Sequence, residues 1–257
     1  MVTQENRTLL FGEGLFETMH WRGITNKTRI HFNRLKSSAD FFSIPCPKYD
    51  EFIDQVLCEM GDRLKVGDKG EKIVKYCLLS KGSGIYYKES KGYDYKVVIR
   101  DMPTVPSSVT LSYSPYSRHS KDPVVYHKTM NYTFNILVKR DAVQRGFYDA
   151  VVLNEKGMIT ECSSSNIIIL KGSRLYSPLR DSGLLIGTCL TVFDAYKEIL
   201  FRPLSRKDLK ESDGIFITNS IIGVVPVIRL DDLIFDIDSD VCNHLNALLI
   251  KENSPLD

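Results

Sequence analysis

The sequence predicts an α+β protein in two parts, and three observations carry that expectation. Strand-like and helix-like segments come in mixed order, without the regular alternation that builds a doubly wound parallel sheet. The stretch 102–108 (MPTVPSS) holds two prolines close together and continues no periodic run, so it reads as a linker. The composition is that of a globular chain: 257 residues, 43% hydrophobic, 26% charged and 10% aromatic. Such values exclude a disordered tail, a collagen-like repeat or a disulfide miniprotein. The expected domains are therefore 1–103 and 104–257.

In the first part, residues 14–21 (GLFETMHW) read as a strand and Arg22-Gly23 as a turn. Residues 30–42 place Phe32, Leu35, Ala39 and Phe42 at helical spacing, and Pro45 and Pro47 stop that helix. A second amphipathic helix spans 49–64, with Phe52, Ile53, Val56, Leu57 and Met60 on one side. Residues 72–80 and 95–100 are β-rich runs on either side of a loop at 81–92. Beyond the linker, 130–145 reads as helix, and 150–153 and 166–170 as buried strands joined through a turn at 154–157. Residues 184–200 read as one long helix entered through Gly183 or Gly187, and 214–218 and 224–229 as strands around a polar bend.

Several functions are disfavoured at once. A net charge of +2 makes no electrostatic case for nucleic acid. The six cysteines include no C-x-x-C pair, the opening residues are polar rather than a secretory signal, and the most apolar stretch, 184–193, is too short to span a membrane. A cytoplasmic protein with reduced thiols is expected. The five histidines form no i, i+4 pair and no H-E-x-x-H, so no metal centre is expected. There is no G-x-S-x-G elbow, and 81–84 (KGSG) lacks Walker spacing and reads as a hairpin turn.

Four polar islands in apolar context remain: 31–35 (HFNRL), 127–132 (HKTMNY), 160–166 (TECSSSN), and 185–189 (LIGTC) with 218–220 (TNS). Arg34 on its own is more often a snorkelling residue than a ligand clamp, and a lone Lys128 is usually solvated. Glu161 beside a buried strand needs a partner, because a buried unpaired carboxylate is costly. The three serines after it suit a cap or a turn. A helix opened after Gly187 presents N–H groups suited to a phosphate. Taken singly, each island reads more readily as structure than as function. The residues alone support a two-part α+β protein with an anion site.

Together the islands match a known pattern. Segments 6–18 (NRTLLFGEGLFET), 31–35, 128–131 (KTMN), 157–166 (GMITECSSSN), and 218–220 through 225–227 (VPV) stand in an order and spacing that resemble the fold-type IV pyridoxal-phosphate enzymes. That group includes D-amino-acid aminotransferases, branched-chain aminotransferases and aminodeoxychorismate lyases. The resemblance implies a small N-terminal α/β sandwich and a larger C-terminal pseudo-barrel, with pyridoxal 5′-phosphate as cofactor. It also implies a homodimer with its active site near the subunit interface. By the same resemblance Lys128 is the Schiff-base lysine, and Glu161 is the carboxylate facing the pyridine nitrogen. Arg34 is implied as a phosphate ligand. The N–H groups of Thr188 and Cys189, with the Ser220 hydroxyl, complete the implied phosphate cradle, and Ser164 and Ser165 line the cofactor. Cys189 stands where relatives often have threonine, so backbone contacts are expected there.

The residue types suit that chemistry. A carboxylate holds the proton on a pyridine nitrogen and makes the ring an electron sink. Only an amine condenses with an aldehyde, and the same amine can later act as general base and acid. Among reactions, elimination of pyruvate from 4-amino-4-deoxychorismate, giving 4-aminobenzoate for folate synthesis, is placed ahead of transamination. D-amino-acid enzymes generally carry an Arg-x-His pair for the substrate carboxylate, and residues 76–91 contain neither arginine nor histidine. The alternative is a D-amino-acid or branched-chain aminotransferase; a cofactor-binding scaffold without catalysis is disfavoured by the Lys128 and Glu161 pair. The partner is a small-molecule amine, with Phe16 and Tyr132 as candidate pocket walls.

Overall fold

The structure, a computed structural model, describes residues 5–61 and 71–255. The chain divides into two compact units. The first is Met1–Pro103 with His127–Asn131 and Asn253–Asp257, and the second is Thr104–Tyr126 with Tyr132–Glu252.

The first unit runs β1 (Glu5–Asn6), α1 (Arg7–Phe11), β2 (Gly14–Trp21), α2 (Asn26–Phe41), α3 (Tyr49–Gly61), β3 (Lys72–Gly82) and β4 (Ser90–Asp101). Strand β3 is central and pairs antiparallel with β2, with β4 and, at its end, with β1. Alternate residues of a strand face opposite sides. Leu15, Met19 and Trp21 of β2 and Val74, Tyr76 and Leu78 of β3 turn to one side. There they pack with Phe32, Leu35 and Ala39 of α2 and Phe52, Ile53 and Val56 of α3. Phe52 lies at the centre, its ring 5.4 Å from Phe32 and 4.7 Å from Tyr76.

Both expected helices are present with shifted ends. Helix α2 begins at Asn26 because the Thr25 hydroxyl accepts from the Thr28 amide at 3.1 Å. Its polar first turn carries no apolar periodicity to read. The expected tail of α3 at 62–64 lies outside the described residues. Strands β3 and β4 run on past the expected runs and shorten the loop at 81–92 to residues 83–89. Residues 128–130, expected to lead into a helix, instead lie along β2. The Phe16 amide donates to the Lys128 carbonyl at 3.0 Å, and the Met130 amide donates to the Gly14 carbonyl at 2.8 Å.

The second unit holds β5 (Val109–Arg118), α4 (Thr133–Gln144), β6 (Asp149–Asn154), β7 (Ile159–Cys162), β8 (Asn166–Lys171) and β9 (Arg174–Pro178). It continues with α5 (Thr188–Ala195), β10 (Ile199–Arg202), α6 (Arg206–Lys210), β11 (Gly214–Asn219), β12 (Gly223–Leu230), β13 (Leu233–Ile234) and α7 (Ser239–Glu252). Its nine strands form one mixed sheet in the order β10-β9-β8-β11-β12-β5-β6-β7, with β13 on β12, curled into a half-barrel. Leu111, Val151, Ile159, Ile167, Ile169, Ile217 and Val225 fill its core. No described helix is long and apolar enough to cross a membrane.

Two expectations fail here. Strand β7 stands between 150–153 and 166–170, so the turn at 154–157 joins β6 to β7 rather than to β8. Residues 184–200 are not one helix: α5 occupies Thr188–Ala195, Lys197 takes a left-handed φ of 58°, and Ile199–Arg202 pairs parallel with β9. Short apolar runs fit helix and strand equally by periodicity, and here a backbone reversal decides between them.

Phe52→Ala is expected to lower stability by about 3–5 kcal/mol, the usual cost of emptying an aromatic core site. Urea unfolding followed by fluorescence of Trp21, the single tryptophan, measures this. A loss under about 1 kcal/mol would contradict the packing described.

Candidate active site

In the first unit, the segment 128–130 is held to β2 by the two backbone bonds given above. Its upstream end is anchored by His127, whose ring stacks on Phe41 at 4.3 Å and whose Nδ1 lies 3.0 Å from Ser38 Oγ. The Lys128 side chain passes over the Phe16 ring, with Nζ 4.6 Å from its centroid, and Lys75 Nζ lies 4.2 Å from the same centroid. Two ammonium groups thus share one aromatic ring, a cation–π arrangement.

Glu17, the next residue on β2, faces the other way and is fully buried. It accepts from Arg34 Nε at 2.8 Å and Arg34 Nη2 at 2.6 Å, a two-pronged pair, and lies 2.7 Å from His31 Nδ1. Burial pushes the Glu17 carboxyl up, but Arg34 and then His31 outweigh it, so its pKa falls from 4.5 to about 2. Burial takes His31 from 6.5 down to about 4 against the pull of Glu17, so the imidazole is neutral at pH 7. Because an ionised carboxylate only accepts, Nδ1 carries the proton. Arg34, expected as a phosphate ligand, has its Nε and Nη2 edge on Glu17, with 16% of its side chain exposed.

In the second unit, Glu161 on β7 is 8% exposed and ion-paired with Arg118 at the end of β5. Its other oxygen accepts from Asn166 Nδ2 at 3.2 Å. Burial first, and then the Glu161 charge, push the nearby Tyr132 phenol up to about 12. The turn that follows Glu161 is locked. The carboxylate of buried Asp149 accepts from the Ser163 amide at 3.2 Å, and the Ser163 carbonyl accepts from Asn135 Nδ2 at 2.6 Å.

Asn166 reaches onward as well. Its Nδ2 donates to the Leu185 carbonyl at 2.8 Å, and its Oδ1 accepts from the Gly187 amide at 2.9 Å. Gly187 is the N-cap of α5, so Thr188 and Cys189 open the helix there; both are buried. A Cβ at position 187 would collide with Asn166 Oδ1, which is why glycine stands there. Asn219 Nδ2 donates to the Ser165 hydroxyl at 3.0 Å and to the Ser164 carbonyl at 3.2 Å, and half-buried Ser220 follows it. Glu161 is thus joined through Asn166 to Gly187, the residue before Thr188 and Cys189, and Ser164 and Ser165 are joined to Asn219, the residue before Ser220; all lie in the second unit. Arg34 and Lys128 lie in the first unit.

That neighbourhood suits pyridoxal phosphate. One end is a carboxylate able to face a ring nitrogen. The other is the N-terminus of α5, whose N-cap is a glycine and so has no capping side chain of its own. In the same unit the hydroxyls of Ser163, two residues after Glu161, and of Thr218, paired with Asn166 in the ladder, are buried and lack a hydrogen-bond partner among the described residues, so each could accept a polar guest.

Sequence reasoning missed Arg118, Glu17 and His31 as charge partners and gave Asn166 no role. Arg118 lies in the polar run YSRHSK with no periodic signal, and the long-range pairing of β5 and β7 on either side of β6 brings it to Glu161.

A family model for class IV aminotransferases matches residues 14–230. A Methanocaldococcus jannaschii protein, provisionally named a branched-chain-amino-acid aminotransferase, is 27% identical over 87% of this chain and 80% of its own length. The D-alanine aminotransferase of Listeria monocytogenes is 26% identical over 88% of this chain and 81% of its own. A solved Legionella pneumophila structure, provisionally named a 4-amino-4-deoxychorismate lyase, superposes with a TM-score of 0.84. It covers 96% of this chain and 93% of its own at 24% identity, a likeness of fold.

The buried Glu17 and His31 give stability a pH dependence. For both groups the unfolded chain binds protons at pH values where the folded chain does not, so stability falls as pH falls. His31 acts between 6.5 and about 4, and Glu17 between 4.5 and about 2. The urea midpoint read by Trp21 fluorescence should drop on acidification through these windows. His31→Gln should flatten the upper one, and an unchanged slope there would contradict the buried neutral imidazole.

Proposed function

The chain belongs to the class IV aminotransferases, pyridoxal-phosphate enzymes, and on that premise we propose that it is a 4-amino-4-deoxychorismate lyase that releases pyruvate and 4-aminobenzoate. The observation that carries this reading is the stretch 76–91 of the first unit, which holds neither arginine nor histidine. Transaminases of D-amino acids generally place an Arg-x-His pair there for the α-carboxylate. A second reading, transamination of an amino acid, is favoured by the names of the Methanocaldococcus and Listeria relatives. We further propose a cytoplasmic homodimer acting on a small-molecule amine.

When bound, pyridoxal phosphate condenses with a primary amine and draws electrons from the carbon that bears it. In the proposed assignment Lys128 holds the cofactor through Nζ. With a substrate amine bound, the Lys128 amine would take or give the proton at the carbon that bears the substrate amine. For the lyase the proton leaves the amine-bearing ring carbon, and the bond from the ring to the enolpyruvyl oxygen breaks. The departing enol takes a proton at carbon to become pyruvate, and the ring becomes aromatic. Glu161, ion-paired with Arg118, would face the ring nitrogen and hold its proton. Ser164 and Ser165 line the ring. The N–H groups of Thr188 and Cys189, the Ser220 hydroxyl and Arg34 hold the phosphate. As a phosphate ligand, Arg34 would act from a guanidinium already braced by Glu17.

Lys128→Ala should cut turnover by at least about a thousandfold and abolish the visible absorbance of bound cofactor. Glu161→Gln should cost about a hundredfold in rate while cofactor stays bound. Purified holoenzyme given aminodeoxychorismate should yield 4-aminobenzoate. The same preparation given D-alanine or L-leucine with 2-oxoglutarate should yield no glutamate. Glutamate without 4-aminobenzoate would replace the lyase by the transaminase.

A further inference from the structure

The Asn166 side chain bonds both to the Glu161 carboxylate and to the entry of α5. Its amide group makes three hydrogen bonds: to Glu161 Oε2 at 3.2 Å, to the Leu185 carbonyl at 2.8 Å and from the Gly187 amide at 2.9 Å. It is buried and stands at the first position of β8, where the ladder pairs it with Thr218 of β11. The orphaned Thr218 hydroxyl is therefore its register partner. Neither end can drift while these bonds hold. Glu161 is pressed between Arg118 and Asn166, and the entry to α5 is tied at two backbone atoms to the same amide.

We propose that Asn166 is a positioning residue that sets the span between the carboxylate of Glu161 and the N-terminus of α5, so that one rigid ligand with an acidic group at one end and a basic ring nitrogen at the other engages both at once. The inference rests on the cofactor assignment given above and adds to it a role for a residue that touches neither reacting atoms nor substrate. Its physical content is linkage. Two contact points held at the right separation make the second contact effectively intramolecular, so a ligand that spans them gains far more than either half alone. Loosening the spacer removes that gain and leaves each end able to bind its own fragment.

The test uses the full chain freed of cofactor and three probes: pyridoxal phosphate, pyridoxal, and inorganic phosphate as competitor, with binding read by visible absorbance. In Asn166→Ala, pyridoxal phosphate should bind at least about tenfold more weakly, the loss expected of hydrogen bonds to a charged group, while each fragment stays within about threefold of wild type. Asn166→Ser keeps a neutral polar group that is too short to bridge Glu161 and the Gly187 amide together. It should show the same pattern, and it decides the matter if the alanine variant does not fold. Gly187→Ala, which presses on Asn166 from the other end, should also weaken pyridoxal phosphate more than either fragment. If pyridoxal phosphate binds the Asn166 variants as it binds wild type, or weakens only in step with one fragment, the spacer role is overturned. If the wild-type chain fails to bind pyridoxal phosphate, the cofactor assignment itself falls, a result separable from the first.

Discussion

A carboxylate taken out of water must find compensating charge or hydrogen bonds, because an uncompensated one costs several kcal/mol. Each unit is organised around one such group. In the first, Glu17 sits behind β2 with Arg34 and His31 drawn onto it from α2, so the helix is fixed to the sheet by charge as well as by Phe32 and Leu35. In the second, Glu161 stands in the wall of the curled sheet with Arg118 on one oxygen and Asn166 on the other. Removing either arginine would strand a buried charge, and that loss exceeds anything the pair contributes over an apolar replacement. The same constraint makes these positions rigid, which suits groups that have to meet a small ring at fixed angles.

Rigidity of this kind is shared by lyases and transaminases, since both need the same electron sink. The two reactions part only after the proton leaves carbon, and what decides them is how the rest of the substrate is held. In the first unit, the face of β2 that carries Phe16 also receives Lys75 and Lys128, and the segment 128–130 is bonded to β2. In the second unit, the serine turn after Glu161 is pinned by Asp149 and Asn135.

The legible part of the fold followed from periodicity. The spacing of Phe32, Leu35 and Ala39, and of Phe52, Ile53 and Val56, announced two helices, and the structure packs those residues into one core. The β-rich runs at 72–80, 95–100, 166–170 and 214–218 are strands. Periodicity failed where a long-range pairing outweighed a local preference. Residues 199–202 could have continued α5, and they form a strand because β9 offers them a parallel edge. Residues 130–131 could have opened α4, and the backbone of β2 captures their neighbourhood instead.

The candidate site divides along the same line. Lys128, Glu161 and the serine turn are proposed for the site through a family resemblance, which rests on residue types and their order, and a motif keeps its order however the chain folds. Which charge neutralises Glu161, what ties it to Gly187 and what Arg34 leans on were decided by tertiary structure alone. Arg118 lies 43 residues from Glu161, Asn166 lies 21 from Gly187, and Glu17 lies 17 from Arg34. No local rule selects them, and the curl of a sheet and the docking of a helix bring them within hydrogen-bonding distance.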